Sequence, residues 1–210
     1  LRMGIVHRLD KDTSGVLLVA KTEEVLDYLQ AQFQMRKIKK EYITLVHGFI
    51  MGGGKIEGNI GRNPYKREKF TVLDRSLPAG RQGKEAMTEY EPLERLHFTG
   101  NRLQQIFEDF NKIQMRKLST IHYNLFTLVV CHPLTGRTHQ IRVHLKYINH
   151  PIVSDETYVG RKMYRLDKRW CPRQFLHAKS IAFCHPGEGR WMEFESALAD
   201  DLEGALSNLI

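Results

Sequence analysis

The chain has 210 residues, 41% of them hydrophobic, enough to bury one sizeable core or two small subdomains sharing a cleft, so a single domain over residues 1–210 is expected. Thirty-two Lys and Arg against 24 Asp and Glu leave a net charge of +8, which attracts polyanions and disfavours acidic partners. Three cysteines (Cys131, Cys171, Cys184) have no paired spacing for a disulfide framework or a zinc site, and neither an apolar signal core nor a run of about 18 apolar residues is present, so a cytoplasmic protein without a membrane span is expected.

Behind a Thr13-Ser14-Gly15 turn, Val16-Leu17-Leu18-Val19-Ala20 reads as a buried strand. Thr22 is a candidate N-cap with Glu23 and Glu24 in the first turn, and Val25, Leu26, Leu29 and Phe33 recur at helical spacing, predicting a helix over about 23–35. Arg36, Lys37, Lys39 and Lys40 follow, a cluster that complements a helix C-terminus and equally suits phosphates. Glu41 to Ile50 alternates as a strand, which Gly52-Gly53-Gly54 ends in a loop; Gly54-Lys55 lacks the spacing of a phosphate-binding loop.

Residues 62–70 (RNPYKREKF) interleave cations with Tyr65 and Phe70, a composition that suits single-stranded RNA and equally a solvated loop. Ser76 to Lys84 is turn-rich, Met87 to Arg95 alternates as a strand, and 97–124 has no clean period and reads as an insertion. Phe126 to Cys131 is a strand and Thr138 to Ile148 a helix with Ile141, Leu145 and Ile148 on one face. Leu176 to Cys184 and Trp191 to Glu195 are further strands, and Ala199 to Ile210 a short closing helix. Strands outnumber helices without alternating with them, which predicts an α+β fold on a mixed, largely antiparallel sheet with flanking helices.

Two segments concentrate chemistry. His7 to Gly15 (HRLDKDTSG) packs both signs of charge into a loop ahead of the Val16 run; by charge alone it is a salt-bridged turn, by position a place where catalytic groups are displayed. In His132 to Leu145 (HPLTGRTHQIRVHL), Thr138 can cap the helix, and Arg142 offers a rigid guanidinium able to hold a carboxylate bidentately. His139 and His144 do not share a helix face as metal ligands would, so core or hydrogen-bonding roles are expected.

The stretches HRLDKDTSGVLLVAKT, KKEYITLVHG and HPLTGRTHQIRVHL, in that order, resemble the three principal motifs of RluA-type pseudouridine synthases, and HPIVSDETYVG and FLHAKSIAFCHP continue the likeness. It spans residues 4 to 196 with a break at 97–124. The resemblance implies a pseudouridine synthase-like catalytic domain with a central cleft, in which Asp10 is the catalytic carboxylate and Arg142 its partner. It also implies that Tyr42 packs on the uracil and is a candidate proton-transfer group, and that Arg8 enters the RNA stack where the target nucleotide leaves it. Ile141 and Leu176 match apolar positions near the pocket, and His7, Lys40, Arg62, Lys66, Arg67 and Arg137 are further candidate RNA contacts. Such enzymes usually carry some dozens of residues before the HRLD motif; six precede His7 here, so an N-terminally shortened catalytic domain is expected.

The chemistry of isomerising uridine agrees with those roles. The N1–C1′ bond must break and a C5–C1′ bond form, and a carboxylate serves either by attacking C1′ or by removing the C2′ proton. Arg142 beside Asp10 would favour the ionised carboxylate. The reacting atoms lie inside a stacked strand, so the nucleotide must be flipped out. No metal, nucleotide or redox cofactor is needed and none is signalled. The expected substrate is large-subunit ribosomal RNA, with transfer RNA as alternative, and the expected state is a monomer. A shortened, non-catalytic RNA-binding protein is a second class of answer; a uracil-releasing glycosidase is a third, but it wants a second carboxylate, for which Asp12 is the near candidate.

Overall fold

The computed structural model describes residues 4–74, 76, 78 and 82–210. Its central strands are β5 (Lys84–Leu96) and β6 (Phe126–Pro133), paired antiparallel. On the far side of β6 lie β2 (Lys39–His47), β7 (Leu176–Cys184) and the short β1 (Ser14–Gly15); beyond β5 lie β3 (Gly54–Arg62) and β4 (Phe70–Leu73). The sheet order is β1-β7-β2-β6-β5-β3-β4, with β8 (Trp191–Glu195) also on β7, and every pairing except β1 with β7 is antiparallel. The helices are α1 (Glu23–Gln34), α2 (Gly100–Ile106), α3 (Lys112–Thr120), α4 (Gln140–Tyr147), α5 (Arg161–Asp167) and α6 (Asp200–Leu206). The architecture is the expected α+β one, with a mixed, largely antiparallel sheet. None of the described helices is long and apolar enough to cross a membrane.

The main core gathers Leu45, Phe126, Val129 and Cys131 from β2 and β6 with Ile141 and Leu145 from α4 and Phe175 and Leu176 at the start of β7. Burial of this much aliphatic and aromatic surface is the largest stabilising contribution, on the order of 1.5–3 kcal/mol for each large side chain. Residues 97–124, which read as an insertion without period, form α2 and α3 and pack into this same core through Phe98, Phe107, Leu118 and Tyr123. A second cluster lies under α1, where Leu29 meets Ile38, Ile181 and Phe183.

Several expectations need correction. The Val16 to Ala20 run is not a buried strand: Leu17 and Val19 are exposed, and β1 forms just before it, at Ser14–Gly15. Val16 and Leu18 pack on the α1 cluster while the alternate side chains face solvent, so one face of the run is covered rather than two. β3, β4 and α5 had no sequence expectation. In β3 the buried positions are Ile56, Gly58 and Ile60, a period of two that the glycines hide from a propensity reading. Of the turn-rich 76–84 segment, residues 77 and 79–81 lie outside the described residues.

Candidate active site

The β1–β7–β2 register brings the two key motifs together. Ala178 of β7 is the partner of Gly15 on one side and of Tyr42 on the other. Gly15 has φ +112°, and a Cβ there would lie 2.1 Å from the Ala178 carbonyl oxygen, so the close approach of the Asp10 loop to the sheet requires glycine. The loop itself is tied down. Thr13 N–H donates to the Asp10 carbonyl at 3.1 Å, and Gln174 donates from Nε2 to the Lys11 carbonyl (2.9 Å) and Thr13 Oγ1 (2.8 Å). Arg173 donates to the Asp12 carbonyl (2.8 Å) and Ser14 Oγ (3.0 Å) while holding Asp201 bidentately. Asp12 is an exposed turn residue with φ +66°.

Arg142 comes from the first turn of α4. Thr138 does not cap this helix: the N-cap position is His139, in the left-handed region with no side-chain cap bond. The entry is fixed instead by Gln140, whose Oε1 accepts from Thr135 Oγ1 (2.6 Å) and Arg137 N (2.9 Å), and whose Nε2 donates to the Met87 carbonyl (2.9 Å) and Thr88 Oγ1 (3.0 Å). A glutamine side chain bonded at both ends holds the backbone as a cap would.

The guanidinium of Arg142 does hold a carboxylate bidentately, but that carboxylate is Asp155, through Nε to Oδ2 (2.7 Å) and Nη2 to Oδ1 (2.9 Å). Its remaining Nη1 donates to Asp10 Oδ2 at 3.2 Å, Nη2 also reaches Thr157 Oγ1 at 3.1 Å, and the group lies over the Tyr158 ring, 5.1 Å from its centroid. Asp155 is fully buried and accepts in addition from the backbone N–H groups of Thr157 (3.0 Å) and Tyr158 (3.2 Å). Burial opposes the Arg142 charge, but the hydrogen bonds and charge of Asp155, followed by those of Asp10, outweigh it and push the guanidinium above its usual value.

Behind Asp155, Ser154 has φ +56° and is pinned by its N–H to Asp167 Oδ2 (2.9 Å) and its hydroxyl to the Cys171 carbonyl (2.6 Å). Asp167 is itself bound by His47 (3.0 Å) and the Tyr123 hydroxyl (2.9 Å). The Asp155 position was missed by the sequence reading, although its motif, HPIVSDETYVG, was in view. A carboxylate right behind the buried Ile152–Val153 pair was the available signal.

Tyr42 is half-buried against the main core, and burial followed by the Asp10 charge pushes its phenol up to about 12. Ile141 and Leu176 are buried in the core. His7 accepts from the Leu18 N–H at 3.1 Å and packs on Phe33; burial, then the neighbouring Lys40 charge, pushes it down to about 4, so it is uncharged near neutrality. Lys40 donates to the Thr135 carbonyl at 3.2 Å, and burial pushes its ammonium down to about 8. Arg137 donates to the Glu85 carbonyl at 2.9 Å. Arg8 is exposed and makes no hydrogen bond or ion pair among the described residues. Arg62, Lys66 and Arg67 belong to the β3–β4 hairpin, with Tyr65 94% exposed at its tip. That hairpin reaches the site's rim: Phe70 N–H donates to the Tyr158 hydroxyl (3.1 Å), the Phe70 ring meets His139 edge-on, and Lys69 donates to the Thr157 carbonyl.

A family model described as RNA pseudouridylate synthase matches residues 1–147. The chain is 38% identical over 210 residues to an uncharacterized RNA pseudouridine synthase, YlyB, of Bacillus subtilis, covering 100% of this chain and 56% of that relative. It is likewise 38% identical over 219 residues to ribosomal large subunit pseudouridine synthase D of Pseudomonas aeruginosa, covering 99% of this chain and 57% of the relative. Among solved structures, human RNA pseudouridylate synthase domain containing 1 superposes with a TM-score of 0.71 at 26% identity, covering 96% of this chain and 72% of that one. The chain therefore belongs to the RNA pseudouridylate synthase family, in its RluA-type branch. It spans little more than half the length of the curated relatives it matches.

Proposed function

We propose that this chain isomerises uridine to pseudouridine in RNA, with Asp10 as the reacting carboxylate and large-subunit ribosomal RNA as substrate. The observation that carries the reading is the Asp10 carboxylate held 3.2 Å from an arginine that is itself locked by a fully buried second carboxylate. This geometry aims one Asp10 oxygen at the guanidinium and leaves the carboxylate partly open to an incoming nucleotide. The net reaction moves the glycosidic bond from N1 to C5 and a proton from C5 to N1. Asp10 acts on the ribose side of that exchange, and Arg142 orients it and balances its charge.

Tyr42, a neutral phenol near pH 7, offers its face to the uracil and its hydroxyl as a hydrogen-bond donor. Arg8, exposed and unpaired among the described residues, enters the gap left by the flipped nucleotide. The hairpin residues Arg62, Lys66 and Arg67 contact phosphates at the rim. Asp155 cannot supply the general acid that a uracil-releasing glycosidase needs, since both its oxygens are occupied and none of its surface is exposed. The names of relatives called ribosomal large subunit pseudouridine synthases C and D support the choice of RNA. The test is pseudouridine mapping on ribosomal and transfer RNA incubated with the chain: a new site in large-subunit RNA is expected, and modification confined to transfer RNA would overturn the substrate assignment.

A further inference from the structure

Outside the Asp10 site, the described residues form a groove of about 540 Å³ between α3 and α5. Its floor is apolar, with the buried Leu118 and Leu166 and the ring of Phe110. Its rim is cationic. Lys117, Arg161, Lys162 and Arg165 are exposed, and none of these four side chains has an ion pair or hydrogen bond among the described residues. A fifth cation, Arg169, is partly neutralised by Asp109 (2.5 and 2.7 Å) and stacks on Phe110, 4.8 Å from its centroid. Four cations without a side-chain partner among the described residues, gathered around one apolar floor, give this face a positive potential that attracts a polyanion.

The groove adjoins the candidate active site. α5 starts three residues after Tyr158, whose ring underlies Arg142. At its other end α5 finishes on Asp167, whose Oδ2 accepts from the Ser154 N–H at 2.9 Å, one residue before Asp155, so both ends of α5 are tied to the segment that holds Arg142. We infer that this groove is a second RNA-binding site, which takes a single-stranded segment flanking the target uridine, bases against the Phe110 side and phosphates on the Lys117 and Arg165 rim. Cations with an aromatic and apolar floor are the composition that binds unpaired nucleotides without reading their sequence. The inference rests on the RNA reading proposed above, and it assigns a task to residues 97–124, which supply α3 and Phe110.

The test measures binding of the full chain to in vitro transcribed large-subunit ribosomal RNA as a function of salt, for the wild type, Lys117→Glu/Arg165→Glu, and Lys55→Glu/Arg190→Glu as a charge-matched control, Arg190 being exposed between β7 and β8 and paired with Glu188. Lys55 is exposed on β3, outside the groove, and pairs with Glu57. Loss of two phosphate contacts should weaken binding about tenfold at 0.15 M salt and lower the slope of log Kd against log salt by about 1 to 2. The control should track the wild type, and all three chains should melt alike. Equal affinity and slope in the double variant would overturn the inference. So would an unchanged RNA affinity accompanied by lost binding of a polyglutamate probe, which would make the groove a site for acidic protein. RNA binding that depends on Lys117 and Arg165 without any pseudouridine formed would support the groove while overturning the proposed function.

Discussion

Arg142 and Asp155 form a bidentate pair, 2.7 and 2.9 Å long, in which Asp155 is fully buried and Arg142 nearly so. The pair consumes one edge of the guanidinium and leaves Nη1 aimed at Asp10. An arginine held this way loses little side-chain entropy when it orients a second carboxylate, which is the reason to spend a buried ion pair here.

Asp155→Asn should therefore damage both stability and turnover without touching RNA. The amide would set an N–H donor against the Arg142 Nε–H, leaving the buried guanidinium short of an acceptor. A loss of about 3–5 kcal/mol is expected in urea unfolding, in line with other broken buried pairs. Arg142→Lys should keep the charge, lose the fork and lower the rate about 100-fold or more, as removal of one positioned donor does elsewhere. Single-turnover pseudouridine formation measures the second effect.

Tyr42 provides a separable prediction, because its phenol, raised to about 12, stays protonated through the neutral range. Tyr42→Phe should leave RNA affinity within about twofold while slowing the chemical step about 100-fold. Tyr42→Leu should weaken both. A pH–rate profile of the wild type should show no limb from Tyr42 between pH 7 and 10.

Gly15→Ala should act through the backbone alone. A Cβ 2.1 Å from the Ala178 carbonyl oxygen, at φ +112°, forces β1 off β7 and displaces the Asp10 loop. More than about 3 kcal/mol of stability should be lost, or the loop released with loss of activity, as read by thermal melting and by pseudouridine formation.

Stability should fall on the acid side through His144, which is fully buried, bonds Thr88 Oγ1 at 2.9 Å and leaves Nε2 without a partner among the described residues. Burial pushes it from 6.5 down to about 4. The folded chain thus binds fewer protons than the unfolded one between those values. Stability from keeping the ring neutral is complete above pH 6.5 and is lost as pH falls towards 4. The slope is at most about 1.4 kcal/mol per pH unit for this group, and His144→Gln should flatten it in unfolding titrations.

The long motifs and the strands with clear alternation were readable from the sequence because their side chains report their own environment. Tyr42 and Arg142 fall on a strand and a helix whose apolar neighbours have the right periods. The misses share a different cause. α2 and α3 span 7 and 9 residues, too short for a period, although Asn111 and Gln114 form a capping box that an N-x-x-Q pattern announces. The α4 entry depends on Gln140 bonding to Met87 and Thr88, more than 50 residues away in sequence, so the nearby Thr138 looked the better cap. Asp155 is likewise placed by contacts from outside its own segment: it accepts from Arg142 on α4, and Ser154 before it is pinned to Asp167 on α5.

The most direct test of the account is to incubate large-subunit ribosomal RNA with the chain and with its Asp10→Asn variant, and to map pseudouridine by a base-specific chemical readout. A site formed by the wild type and absent with the variant, at equal RNA affinity, is the predicted result. Pseudouridine formed equally by both would contradict the assignment of Asp10 as the reacting group.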